Sequence, residues 1–173
     1  MNRNVYLIGP MGSGKSAVGR QLARLLRLEF HDSDVEVERR TGVDIPYIFE
    51  REGEAGFRER EREVIDSLTQ LPGVIIATGG GAVLLQENRE HLSSRGRVVY
   101  LMTGIEQQLE RTRHGRQRPL LYTDDPESKL RELMAFRAPL YEEIANVTVA
   151  TDGRHVRQVA EEIVQKLKEQ VTS

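Results

Sequence analysis

Val5-Tyr6-Leu7-Ile8-Gly9-Pro10-Met11-Gly12-Ser13-Gly14-Lys15-Ser16 decides the fold. An unbroken apolar run reads as a strand covered on both faces, because a half-exposed strand would alternate. Gly9 to Ser16 then match the pattern GxxxxGK[ST], and Val18, Leu22, Leu25 and Leu26 follow on one helical face. Strand, glycine-rich loop and helix, in that order, are the context in which this pattern holds phosphate. Its glycines let backbone N–H groups turn inward around phosphate oxygens, and the helix N-terminus adds its partial positive charge. Gly12, Ser13, Gly14, Lys15, Ser16 and Ala17 are therefore the expected nucleotide contacts. Lys15 is expected to reach the β and γ phosphates, and Ser16 to offer its hydroxyl to Mg2+.

Outward from that loop, short apolar runs alternate with helical patterns. Glu29-Phe30-His31-Asp32, Val74-Ile75-Ile76-Ala77, Val98-Val99-Tyr100-Leu101 and Val147-Thr148-Val149 read as further strands. The segment Ser33–Gln70 reads as mostly helical, interrupted at Gly42–Pro46 and at Gly53–Gly56. Val156, Val159, Ile163 and Leu167 mark an amphipathic closing helix. Strands alternating with helices predict an α/β protein with a parallel sheet covered on both faces. Arg111 to Asp125 lacks core periodicity and holds Arg111, Arg113, Arg116 and Arg118, so it reads as a lid; long loops in compact domains are usually functional or disordered.

Composition narrows the function classes. The 173 residues include 25 Lys plus Arg and 27 Asp plus Glu, a formal net charge of −2. Nucleic-acid binders usually carry a domain pI above roughly 9, so no nucleic-acid partner is expected. Aromatics make up 5% with no Trp, which leaves little stock for stacking bases. No apolar run approaches the ~18 residues of a membrane span, and the N-terminus lacks the pattern of a secretory signal. With no Cys, disulfides, thiolate metal sites and a cysteine nucleophile are excluded, which fits a cytoplasmic location.

Three further motifs carry chemistry. Asp32-Ser33-Asp34 closes a predicted strand, at the edge where open α/β sheets bind ligands. One carboxylate suits Mg2+ and the other a substrate hydroxyl, although Asp32 or Ser33 would also serve as a helix cap. Thr78-Gly79-Gly80-Gly81 follows the second strong strand, where the glycines permit close backbone approach by a ligand. Switch GTPases and motor ATPases often carry Asp at that place, so they fit less well. Arg58, beside Phe57, and Arg137, in Phe136-Arg137-Ala138-Pro139-Leu140-Tyr141, stand apart from the solvated arginines. A guanidinium fork matches a carboxylate or phosphate in two parallel bonds.

Taken together, Gly9–Ser16, Asp32-Ser33-Asp34, Gly56-Phe57-Arg58, Thr78–Gly81, Arg118-Pro119-Leu120-Leu121 and Arg137 with Pro139-Leu140-Tyr141 resemble the shikimate kinase family along the whole chain. The resemblance implies a three-layer P-loop kinase fold with a five-stranded parallel sheet. It implies one domain over 1–173, with a substrate-binding helical region at about 33–62 and a lid at about 111–125. The implied reaction moves the γ-phosphoryl of ATP to the 3-hydroxyl of shikimate, a step of aromatic amino-acid biosynthesis. Catalytic roles fall on Lys15, Asp34 and Arg118; substrate contacts on Asp34, Arg58, Gly79, Gly80, Gly81 and Arg137; Mg2+ on Ser16 and Asp32. Arg118 and Arg154 are implied as further nucleotide contacts. Thr151-Asp152-Gly153-Arg154-His155 departs from the family's adenine loop, which in many members carries a Pro missing here. A monomer is expected. Another small-molecule kinase of this fold, such as a gluconate kinase, is the nearest rival, and a silent nucleotide-binding switch is the rival from another class.

Overall fold

A computed structural model describes residues 3–112 and 124–172 of the chain. β1 (Val5–Ile8) leads into α1 (Lys15–Leu26), then β2 (Glu29–Asp32), α2 (Ser33–Thr41) and α3 (Ile45–Leu68). β3 (Val74–Ala77), a 3-10 turn (Ala82–Leu84) and α4 (Gln86–Arg95) follow. β4 (Arg97–Met102), α5 (Ile105–Thr112), α6 (Pro126–Ile144), β5 (Val147–Ala150) and α7 (Val156–Thr172) complete the order. All five strands expected from the sequence are present, in the order β2-β3-β1-β4-β5 and parallel throughout.

Alternation of side chains across the pleat builds two cores from one sheet. Val5, Leu7, Ile75, Val99 and Leu101 face one way, against Val18 and Leu22 of α1 and Val159, Ile163 and Leu167 of α7. Tyr6, Ile8, Val74, Ile76, Val98 and Tyr100 face the other way, against Phe57, Val64, Ile65 and Leu68 of α3 and Tyr141 of α6. This is the three-layer arrangement, and it explains why β1 and β3 are apolar at every position. Each aliphatic side chain so buried contributes about 1.5–3 kcal/mol relative to exposure.

The helical region after β2 breaks where the sequence marks it, with one refinement. Gly42 ends α2, and Asp44 caps α3 by accepting from the Tyr47 N–H, with Pro46 in the first turn. Within α3 only Gly53 leaves the helical region, at φ 73°, while Gly56 remains helical. The ends of the stretch expected as a lid join the flanking helices. Arg111 and Thr112 end α5, and Asp125 caps α6 by accepting from the Ser128 N–H. Residues 113–123, including Arg113, Arg116 and Arg118, lie outside the described residues.

β1 lies between β3 and β4, with its crossover to β2 passing over β3. Connections leaving β1 and β4 therefore diverge, and a crevice opens at the carboxyl ends of the strands. The Gly9–Gly14 loop, Asp32, Thr78 and Thr103 all sit at that edge. Among the described residues no helix is long and apolar enough to cross a membrane.

Candidate active site

A cleft of about 420 Å³ opens at this edge, lined by the Gly9–Gly14 loop, the α2–α3 region, the triple glycine and α6. Lys15 is the first residue of α1, and Gly14 caps it in a left-handed conformation. The Lys15 ammonium donates to the carbonyls of Gly9 at 2.7 Å and Pro10 at 2.8 Å, so it spans the mouth of the loop. It also lies 3.4 Å from the buried Ser13 hydroxyl, which braces the loop from inside.

Asp32 takes up the helix-cap role with one oxygen and meets Ser16 with the other. Its Oδ1 caps α2, accepting from the N–H groups of Asp34 at 2.9 Å and Val35 at 3.2 Å. Its Oδ2 accepts from the Ser16 hydroxyl. A hydroxyl and a carboxylate side by side form a hard-oxygen pair of the kind Mg2+ takes alongside waters and phosphate oxygens. Among the described residues there is no group of three or more His, Cys, Asp or Glu that could hold a metal ion. The buried Ser33 Oγ accepts from the Gly79 N–H at 3.1 Å, fastening the triple glycine to the start of α2.

Each of the three glycines faces a different part of the site. A Cβ on Gly79 would stand 2.7 Å from Asp34 Oδ1 and 2.9 Å from Glu61 Oε2. On Gly80 it would meet the Met11 nitrogen at 3.3 Å and Arg137 Nη1 at 3.5 Å, and on Gly81 it would fall on the Arg58 guanidinium. The glycines thus admit the protein's own functional side chains, in addition to any ligand. Asp34, Arg58 and Arg137 converge here although they come from α2, α3 and α6.

The two arginines differ in their partners. Arg58 Nη1 donates to Glu61 Oε1 at 2.8 Å, with Glu54 at 3.4 Å. Burial works against the Arg58 charge, but Glu61 and Glu54 outweigh it and hold its pKa above the usual arginine value. Arg137 is 3% exposed, and its Nε has no partner among the described residues. Burial, with Arg58 nearby, lowers its pKa. Two guanidinium groups in one desolvated wall favour an anion between them.

Sequence reasoning passed over Glu61. It sits in Arg58-Glu59-Arg60-Glu61-Arg62-Glu63, which reads as a solvated charged face. Yet Glu61 is fully buried, and burial pushes its carboxyl up against the pull of Arg58 and Arg137. The signal was its place on the stripe Phe57, Glu61, Val64, Ile65, Leu68, which is the face α3 buries. Arg111 also lines the cleft, donating to the Gly12 carbonyl at 3.3 Å. Arg154 does not line it; its guanidinium is engaged by the Ala150 carbonyl at 2.8 Å and Glu162 at 3.0 Å. Asp152 instead ties this loop to the β4–α5 junction, accepting from the Gly104 N–H through both oxygens.

Residues 11–168 match the family model described as Shikimate kinase. A shikimate kinase of Halorhodospira halophila is 58% identical over 166 residues, 96% of this chain and 94% of the relative. The chain belongs to the shikimate kinase family. A shikimate kinase of Vibrio cholerae is 54% identical across 98% of this chain and 97% of its own length. The solved structure of the Acinetobacter baumannii shikimate kinase in complex with shikimate superposes with a TM-score of 0.96 at 50% identity, covering 98% of this chain and 95% of that one. A gluconokinase of Sinorhizobium meliloti superposes at 0.61 with 16% identity, covering 98% of this chain and 93% of its own, which shows a shared fold and nothing finer. Membership in the shikimate kinase family fits the composition of the cleft, which combines a phosphate loop with a second cationic wall.

Proposed function

We propose that this chain transfers the γ-phosphoryl group of ATP to the 3-hydroxyl of shikimate, giving shikimate 3-phosphate and ADP. The observation that carries this is the convergence of Asp34, Arg58 and Arg137 on the Gly79–Gly81 hub, in the same cleft as Lys15 and Ser16. The arginine pair supplies an anion clamp distinct from the phosphate loop, as a carboxylate-bearing acceptor requires. Asp34 then stands beside the acceptor's hydroxyls, near the donor phosphate.

In the proposed reaction Asp34 accepts a hydrogen bond from the attacking hydroxyl and takes its proton late. The O–H bond breaks, the new O–P bond forms, and the bond from Pγ to the bridging oxygen breaks with its electron pair leaving on ADP. Phosphoryl transfer passes through a loose transition state, so positioning and charge neutralisation dominate. Lys15 exchanges its bonds to the Gly9 and Pro10 carbonyls for phosphate oxygens. Ser16 and Asp32 are the residues that would hold Mg2+, which supplies charge neutralisation at the β and γ phosphates. Arg118 is assigned to the same charge set on the sequence resemblance alone. Residues 1–173 act as one catalytic domain, expected as a monomer, in the cytoplasm where ATP is supplied.

The test is ADP release by purified protein with ATP and Mg2+, with shikimate, with gluconate, and with neither. Turnover confined to the shikimate arm, with phosphorus NMR placing the phosphate on the 3-oxygen, is the expected result. Turnover with gluconate alone would overturn the substrate, and nucleotide binding with no product in either arm would favour the switch.

A further inference from the structure

We infer that Tyr141 is a positioning residue for the acceptor site, fixing the Gly80–Gly81 peptide and the Arg137 guanidinium in one register. This rests on the function proposed above and deepens it. Tyr141 follows Arg137 by four residues on α6, so the two share one helix face. Its hydroxyl donates to the Gly80 carbonyl at 2.5 Å. The Arg137 guanidinium lies near enough to the same hydroxyl to act on it electrostatically, pulling the phenol's pKa down against the larger rise from burial. One phenol therefore ties α6 to the glycine loop, one helical turn from Arg137.

The tie matters because the loop has little else to hold it. Glycine peptides have the widest conformational freedom of any, and three in a row carry no side chain to anchor them. The flanks are tied: the Gly79 N–H donates to Ser33, the Ala82 N–H to the Gly79 carbonyl, and the Leu84 N–H to the Gly81 carbonyl. Among the described residues, the central peptide's tie is the bond from Tyr141. In a planar trans peptide the carbonyl and the following N–H point opposite ways. Anchoring the Gly80 carbonyl on α6 thus turns the Gly81 N–H away from α6. The Tyr141 ring is itself immobilised, fully buried and 5.0 Å from the Tyr100 ring. Such investment in a single hydroxyl would fix the shape of the acceptor pocket and leave the nucleotide side untouched.

The experiment compares Tyr141→Phe with Tyr100→Phe, a neighbouring buried tyrosine on β4 whose ring packs on the same core. Shikimate and an unreactive ATP analogue are titrated separately by calorimetry, kinetics are run at saturating ATP, and exchange of the Gly80 and Gly81 amides is followed by NMR without ligands. Tyr141→Phe is expected to weaken shikimate about three- to tenfold, the range of one net hydrogen bond. It should leave the ATP analogue unchanged, raise KM for shikimate more than it lowers kcat, and speed Gly81 exchange. Tyr100→Phe should do none of these. Equal weakening of both ligands, matching effects from the two variants, or unaltered shikimate affinity would each overturn the inference. Should Tyr141→Phe fail to fold, 3-fluorotyrosine at position 141 keeps the ring and alters the hydroxyl. Shikimate affinity must then shift with fluorination at 141 and not at 100, and an equal response sinks the inference. Wild-type protein that turns over shikimate while Tyr141→Phe behaves identically overturns the tyrosine's role alone; wild-type protein that binds no shikimate overturns the proposed function and this inference with it.

Discussion

Arg58 donates to Glu61 Oε1 at 2.8 Å across one turn of α3, while the second Glu61 oxygen, Oε2, is buried with no partner among the described residues. That half-satisfied carboxylate holds the Arg58 guanidinium against Gly81 of the triple glycine. Burial raises the Glu61 pKa, so the folded protein holds this proton to higher pH than the unfolded chain, whose Glu titrates near ~4.3. Folded binding of the extra proton means the contribution is fully present below that value and is lost as pH rises through the folded pKa. Urea unfolding of wild type and Glu61→Gln between pH 4 and 8 is expected to show wild type losing stability relative to the variant as pH rises. Parallel profiles would mean that Glu61 keeps an ordinary pKa.

Lys15→Ala should cripple turnover and spare the fold. The ammonium bonds two loop carbonyls and one hydroxyl but fills no apolar core. Losing one donor aimed at developing charge costs on the order of 10²–10³ in kcat. Steady-state kinetics beside a thermal melt checks this, and near-normal kcat would remove Lys15 from the phosphate site.

Asp34→Asn should suppress kcat at nearly unchanged affinity for an ATP analogue. The amide keeps the shape beside Gly79 but is a poor proton acceptor, and general-base contributions run roughly 10²–10⁴-fold. A loose transition state places the expected loss at the lower end. Unchanged kcat with unchanged shikimate affinity would leave Asp34 a structural residue of α2.

Arg58→Lys and Arg137→Lys should each weaken shikimate about ten- to a hundredfold and leave ATP binding unaltered. Lysine retains the charge but loses the planar fork, and a charge-assisted bond is worth ~1.5–3 kcal/mol. Separate titrations with each ligand decide it. Weakening of both ligands alike would point to disturbed folding.

The helix cap that Asp32 makes and the metal role proposed for it can be separated. Asn caps a helix about as well as Asp, so Asp32→Asn should keep the melting temperature while raising the Mg2+ concentration needed for half-maximal activity. Asp32→Ala should do the same and also cost about 0.5–2 kcal/mol of stability through the lost cap. An unchanged Mg2+ requirement in Asp32→Asn would take this carboxylate out of the metal site.

The sequence by itself determined the layers. Unbroken apolar runs at Val5–Ile8 and Val74–Ala77 read as buried strands, and Gly9–Ser16 matches a loop that follows a strand and opens a helix, so this end of the cleft was legible from local pattern. Asp34 was legible as the second of two carboxylates at the end of a strand, and Arg58 and Arg137 because aromatic or proline neighbours set them apart from solvated charge. Only the tertiary structure decided what those residues do for one another. Burial of Glu61 depends on which face α3 turns to the sheet, and the Tyr141 hydroxyl reaches Gly80 across 61 positions of chain. The order β2-β3-β1-β4-β5 brings the triple glycine beside the phosphate loop and under α6. A local pattern carries helix and strand because their hydrogen bonds and faces repeat within a few residues. Pairings between distant segments are set by sheet order and packing, which no short window of sequence contains.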